Sequence, residues 1–196
     1  MLTQLTTVKT RLALDPLDIT NDALLTSAIL AVSARFDQET NRTLERTENA
    51  TFEFAAADTE IVVPCYPIEL VAKFELKSSE PEGWVEQSGV SYLLRRACVL
   101  HLLSPLATIH SPLPIGRVTY TGGFLVPGSA PQPGAAALPA DLEQAAIEQT
   151  AFWFQTRDMV GVLRQWPHGG DYEQLADLDL LPSVRAVLAH HTRMVL

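Results

Sequence analysis

The sequence has few cysteines, little positive charge and no long uninterrupted apolar run. Its 196 residues include two cysteines, Cys65 and Cys98, 33 positions apart. Two are too few for a disulfide framework, and no Cys-X-X-Cys spacing offers metal ligands. Small packed thiols in a reducing compartment are expected. Lys and Arg number 14 against 23 Asp and Glu, a net charge of -9. An acidic chain repels phosphate backbones and anionic lipid, which counts against a nucleic-acid or membrane-surface role. Two stretches carry no charge, 97–116 and 118–140, but proline and glycine interrupt both. Neither forms the apolar helix of ~20 residues that a bilayer requires. The opening Met1 to Leu14 mixes Thr, Lys and Arg with Leu, so no secretory signal is expected.

What is present suits a globular chain. Hydrophobic residues make up 47% and charged residues 19%, which argues against disorder. The length fits one domain, or one domain with an insertion. Such a chain buries about 70% of its unfolded surface without staples.

Helical spacing opens the sequence. Leu5, Val8 and Leu12 share one face of a short helix, with Thr3 as its expected cap. Asp15-Pro16 stops it, because the residue before proline avoids the helical region. A second start at Thr20-Asn21-Asp22 leads into Leu25, Ala28, Ile29, Val32 and Phe36, an amphipathic helix ending near Thr40-Asn41. From about Thr51 the period becomes two. Short runs rich in β-branched and aromatic residues follow, around Phe52 and Phe54, 60–64, 68–76, 83–86, 92–94 and 116–121. Leu100 to Leu103 reads as a strand because Pro105 follows closely. Residues 105–139 hold 7 of the 13 prolines and 5 of the 10 glycines, so much of this region is extended. Helical texture returns at Leu138-Pro139-Ala140-Asp141, with proline and an acid in the first turn. Leu142, Ala145, Ala146, Gln149, Phe152 and Trp153 form one face, and Ile147, Ala151 and Phe154 widen it. That arc is wider than a single packed face needs, which suggests cover from a neighbouring subunit. Trp166 to Tyr172 reads as a loop or hairpin. A last helix opens at Leu181-Pro182-Ser183, with Val184, Val187, Leu188 and His191 on one face, and runs towards Met194.

The expected fold is α+β: a helical bundle of N- and C-terminal helices with an inserted antiparallel β-domain. The boundaries are 1–47 for the first helices, 48–126 for the β-domain, 127–139 for a Pro/Gly-rich linker and 140–196 for the last helices. Neither helical pair alone buries enough surface, so the two must pack together.

Catalytic and metal-binding arrangements are absent from the pattern. His190 and His191 are adjacent and point to different helix faces. His101 and His110 lack chelating spacing. Cys65 and Cys98 have no histidine brought to them by sequence, and Pro64-Cys65-Tyr66-Pro67 reads as a turn. Glu80, Glu82 and Glu86 surround Gly83-Trp84 as a solvated hairpin. Gly122-Gly123 and Gly169-Gly170 lack phosphate-loop spacing and read as turns. Arg95-Arg96 reads as a surface ion-pair site. No catalytic residue, metal or cofactor is expected. Trp153, Trp166 and Tyr172 lie near Arg157 and Arg164, a composition typical of protein interfaces.

Several segments together resemble the head–tail connector (adaptor) family of long-tailed bacteriophages. They are Leu138-Pro-Ala-Asp-Leu142, Ala145-Ala-Ile147, Phe152-Trp-Phe-Gln-Thr-Arg-Asp158, Tyr120-Thr-Gly-Gly-Phe124 and Leu180-Leu-Pro-Ser-Val184. The stretch from Leu5 to Arg42 is similar to the family's opening helices. The resemblance implies a non-enzymatic virion neck component, assembled in the host cytoplasm. It implies a ring, commonly of twelve copies, beneath the portal protein. The ring extends the channel through which DNA passes without specific binding, and it receives a stopper or tail-completion protein. A stopper or tail terminator is the alternative within the same class, and a ligand-binding or enzymatic domain the alternative outside it. The expected subunit or portal contacts are Trp153, Arg157, Trp166, Tyr172, Arg185, Arg193 and Met194.

Overall fold

Helical spacing and the early proline place the first two elements where expected. The computed structural model describes residues 1–107, 114–157, 163–164, 173–174 and 179–193. Helix α1 spans Leu5–Arg11 and α2 spans Asp22–Thr40. Thr3 does not cap α1. Gln4 occupies that position in an extended conformation without a side-chain cap, and Thr3 is buried one residue earlier. The buried residues of α2 recur every three or four positions, Leu25, Ile29, Val32, Phe36 and Thr40. Asn41 ends the helix with φ +50°, the left-handed stop that asparagine tolerates.

The strands are β1 (Thr47–Ala55), β2 (Glu60–Val62), β3 (Ile68–Lys77), β4 (Val85–Gln87), β5 (Tyr92–Arg95), β6 (Val99–Leu102), β7 (Ile115–Gly122), β8 (Phe124–Leu125) and β9 (Ala136–Ala137). A four-stranded antiparallel sheet has the order β1-β7-β3-β4, and a three-stranded one the order β2-β6-β5. Phe54, Ile61, Phe74, Leu100, Val118 and Tyr120 from both sheets form one buried cluster. Gly122 and Gly123 are set by close approach. A Cβ on Gly122 would stand 2.6 Å from the Cys65 carbonyl oxygen, and Gly123 adopts φ +99°. The segment 127–139, expected as a linker, carries β9, which pairs in parallel with β8.

Helix α3 runs Ala140–Thr156 from Pro139, with Asp141 and Glu143 in its first turn. It touches α1, α2 and the last helix α4 (Pro182–His191). This explains its wide apolar arc: helices of its own chain bury Leu142, Ala146, Ile147, Ala151 and Phe154. On that apolar arc Phe152 and Trp153 remain half-buried. Two short strands, β10 (Leu163–Arg164) and β11 (Glu173–Gln174), pair antiparallel. Helix α4 buries Val184 and Leu188 and ends at His191, short of Met194.

Two compact units result. One joins Met1–Thr40 with Pro139–His191, and the other comprises Asn41–Leu138 with Thr192 and Arg193. The fold is α+β, with N- and C-terminal helices and a β domain between them in sequence. Among the described residues, no helix is long and apolar enough to cross a membrane.

Candidate functional site

In the helical unit, α2 and the end of α3 enclose a groove of about 310 Å³, lined by Leu24, Ser27, Ala28, Ala31, Trp153, Phe154 and Arg157. Small side chains on α2 create the depression, and the aromatic pair of α3 walls it. The Arg157 guanidinium lies 4.1 Å from the Phe154 ring centre and donates to the Phe154 carbonyl oxygen at 2.5 Å. Its charge therefore sits at the rim of an apolar floor, the combination that anchors protein–protein contacts. Leu24 and Leu30 on α2 are exposed.

The start of α4 is tied to α3 through a buried amide. The Gln149 side chain donates to the Asp179 carbonyl oxygen at 3.0 Å and accepts the Leu181 N–H at 2.8 Å. The Trp153 indole N–H reaches the same carbonyl at 3.5 Å. Arg185 grips the Asp179 carboxylate with one terminal nitrogen. That hydrogen bond holds the Asp179 carboxyl below its ordinary range, helped by the Leu180 N–H and the charge of Arg35. Arg185, expected as a subunit or portal contact, is an exposed residue paired with Asp179. At the other end of the same helices, His191 meets Asp141 at 2.8 Å, and this bond lowers the Asp141 pKa.

Arg193 belongs to the β unit. It donates to the Val62 carbonyl oxygen and stands 5.1 Å from the Phe52 ring centre, half-buried. The structure therefore brings Trp153 and Arg157 together on the groove, links Arg185 to Trp153 through Asp179, and leaves Arg193 in a separate setting. Trp166, Tyr172, Met194 and His110 lie outside the described residues.

The residues weighed for chemistry have other partners. The Cys65 thiol is buried 3.1 Å from the Gly122 carbonyl oxygen, and both cysteines are free thiols. His101 lies 3.4 Å from Glu60. Arg95 pairs with Glu60 at 3.3 Å, as its surface position suggested. Among the described residues no cluster of three His, Cys, Asp or Glu side chains is placed to hold a metal ion.

Several buried polar groups escaped the sequence reading. Lys9 is 3% exposed and bonds the Asp18 carbonyl oxygen and the Asp22 carboxylate. Arg42 is 5% exposed and lies 3.5 Å above the Tyr66 ring. Gln149 carried a signal, a lone amide on an apolar face. Lys9 and Arg42 carry none, because their partners, Asp18 and Asp22 for Lys9 and Tyr66 for Arg42, come from other segments of the chain.

No family model matches this chain, and no curated protein matches it. Solved structures do. One chain in the neck of an empty gene transfer agent (GTA) particle, computed with C6 symmetry, matches with a TM-score of 0.59 at 18% identity, covering 97% of this chain and 89% of its own. A chain in the neck of the native GTA particle, computed with C12 symmetry, gives 0.56 at 19% identity, covering 98% and 90%. A chain of the native GTA virion gives 0.55 at 20%, covering 90% and 80%. At such identities the likeness is one of fold, and it extends over both units of this chain.

Proposed function

We propose that this chain is a structural component of a phage-like virion neck, acting as a head–tail adaptor. The observation that carries the reading is the end-to-end fold likeness to chains in the neck of GTA particles. A match over both units of a two-unit chain is far more specific than a match to either alone. In this reading the chain forms a ring, of twelve copies, below the portal protein. The ring extends the DNA channel, and a stopper or tail-completion protein binds its far side. The C6 and C12 symmetries of the matching necks favour ring self-association. The net charge of -9 suits a conduit that must not retain DNA. The chain works by binding rather than by turnover, and it needs no cofactor. It resides in the virion neck after assembly in the host cytoplasm.

The Trp153–Arg157 groove is the proposed subunit or portal contact of the helical unit, and Arg185 flanks it as a secondary contact. Trp166, Tyr172, Arg193 and Met194 complete the proposed set.

The test is mass by light scattering with electron-microscope images, for the protein alone and with the portal protein encoded by the same genome. Rings in either sample support the reading, and a chain that stays monomeric and ignores the portal overturns it. Arg157→Glu is expected to keep the thermal midpoint and to lose ring formation. Normal rings from that variant remove Arg157 from the interface.

A further inference from the structure

Strand β5 is an unusual sheet edge. It pairs only with β6 among the described residues, so its outer row of backbone groups is open. An open edge is a template for another strand, and proteins normally guard it with central charges or a bulge. Here Tyr92, Leu93 and Leu94 are 37%, 52% and 43% exposed, and Leu103 beside them is 60% exposed. Tyr92 and Leu94 stand opposite Leu102 and Leu100, on the face that carries the buried cluster. Leu93 stands opposite His101 on the other face. Both faces of this edge therefore present large apolar groups to water. Arg95 and Arg96 follow at once. Arg96 is exposed and makes no ion pair among the described residues, and Arg95 has only an exposed pair with Glu60.

Three other strands are edges of the two larger sheets among the described residues; β2 and β4 have three residues each, and the longest, β1, is the opposite in charge. Strand β1 is one outer strand of the four-stranded sheet, pairing only with β7 among the described residues. A bulge with Asn49 at φ +53° breaks its first half, leaving a regular run from Ala50 to Ala55. Glu53 in that run is exposed and without an ion pair among the described residues. Topology separates the two edges. Strands β4 and β5 are joined by four residues, and the Tyr92 ring stands 5.6 Å from Phe74 of β3, so β5 lies along the β3–β4 margin. Strand β1 closes the far side of the same sheet.

We propose that β5 of one copy adds as a strand to β1 of the next, with Arg96 facing Glu53. Two different surfaces at opposite margins make a head-to-tail contact, which closes into a ring when the rotation allows. Main-chain bonds supply adhesion, and the charge pair selects β1 as partner. This inference rests on the ring reading above and adds the contact by which the β units join.

The experiment images assembly of the unmodified chain and its variants with the portal protein of the same genome, alongside light-scattering mass. Arg96→Glu and Glu53→Arg are each expected to raise the concentration at half-assembly about tenfold, and the two together to restore it. Because Glu53 stands opposite Arg117 in the strand register, a second arm leaves β1 untouched. Leu93→Lys with Leu94→Lys, at exposed positions, is expected to abolish rings with an unchanged thermal midpoint. Rings from the unmodified chain that persist in all variants overturn the strand addition and leave the ring reading standing. So does a charge-swapped double variant as defective as its parents, which means that β5 meets a different partner. Absence of rings from the unmodified chain overturns the ring reading itself, and this contact with it.

Discussion

The two units of this chain are stabilised in different ways. In the helical unit many buried polar groups find partners one turn away. Thr40 bonds the Phe36 carbonyl oxygen and Thr150 the Ala146 carbonyl oxygen, each four residues back. In the β unit the corresponding bonds span the chain. The Cys65 N–H donates to the Tyr120 hydroxyl across 55 residues, and Arg117 reaches Glu75 across 42. A helix satisfies its own backbone, so its unit needs only apolar stripes that match. A sheet satisfies its backbone through distant strands, so its unit depends on a few side chains that fix which segments meet.

The largest effects come from the cores. Phe36→Ala, at a site 0% exposed in the helical unit, is expected to cost about 3–5 kcal/mol. Tyr120→Ala, also 0% exposed, is expected to cost at least as much, because it also removes the hydroxyl to which the buried Cys65 N–H donates. Tyr120→Phe isolates that difference, about 1–2 kcal/mol, in denaturant unfolding. A Tyr120→Phe variant as stable as the parent would break the contrast between the units. Burial pushes the Tyr120 hydroxyl up to about 12, against the lowering effect of the Cys65 bond, so it stays protonated near neutral pH.

The same contrast explains what was legible in the sequence. Period and spacing found α1 to α4 and β1 to β7, because each depends on neighbours in the chain. Pairing was not legible. Nothing local says that β7 runs between β1 and β3, or that Ala136 and Ala137 return to pair with β8. The Pro/Gly-rich stretch looked like a spacer because composition reports stiffness and not destination. The α3 face was half legible. Its excess apolar area was visible, but its cover turned out to be α1, α2 and α4. Of the residues expected at an interface, the structure places Trp153 and Arg157 on one groove. The small residues Ser27, Ala28 and Ala31, which make the groove beside them, give no signal of their own.

A smaller effect sharpens the comparison from the helical side. Gln149 is a buried side chain there whose two bonds reach about 30 residues away, to Asp179 and Leu181. It behaves like a β-unit pin within a helical setting. Gln149→Ala leaves the Leu181 N–H and the Asp179 carbonyl without that partner, at an expected cost of about 2 kcal/mol. Amide exchange at the start of α4 should rise more than at the middle of α2. Equal protection at both would mean that Gln149 only fills space.

The smallest effect separates the units by acid. Glu75 is 6% exposed in the β unit, between Lys73 at 2.9 Å and Arg117 at 2.8 Å. Burial raises its pKa, but the hydrogen bonds and charges of Lys73 and Arg117 outweigh that, and the net position lies below the ordinary 4.5. A carboxylate held low in the folded state stabilises it fully above its unfolded pKa. That contribution is lost as pH falls from the ordinary value through the lowered one. In the helical unit the lowered acids Asp18, Asp141 and Asp179 are exposed, so water screens their interactions and their share is small. Acid should therefore weaken the β unit through one buried group and the helical unit through exposed ones. Glu75→Gln is expected to lower the thermal midpoint at neutral pH, and its curve should meet that of the unmodified chain below the lowered pKa. Raising the salt concentration at neutral pH should erode the Asp179–Arg185 contribution more than that of Glu75, because buried pairs are screened less. Parallel pH curves for the two proteins would mean that Glu75 is held by shape alone and that its charge does not stabilise the sheet.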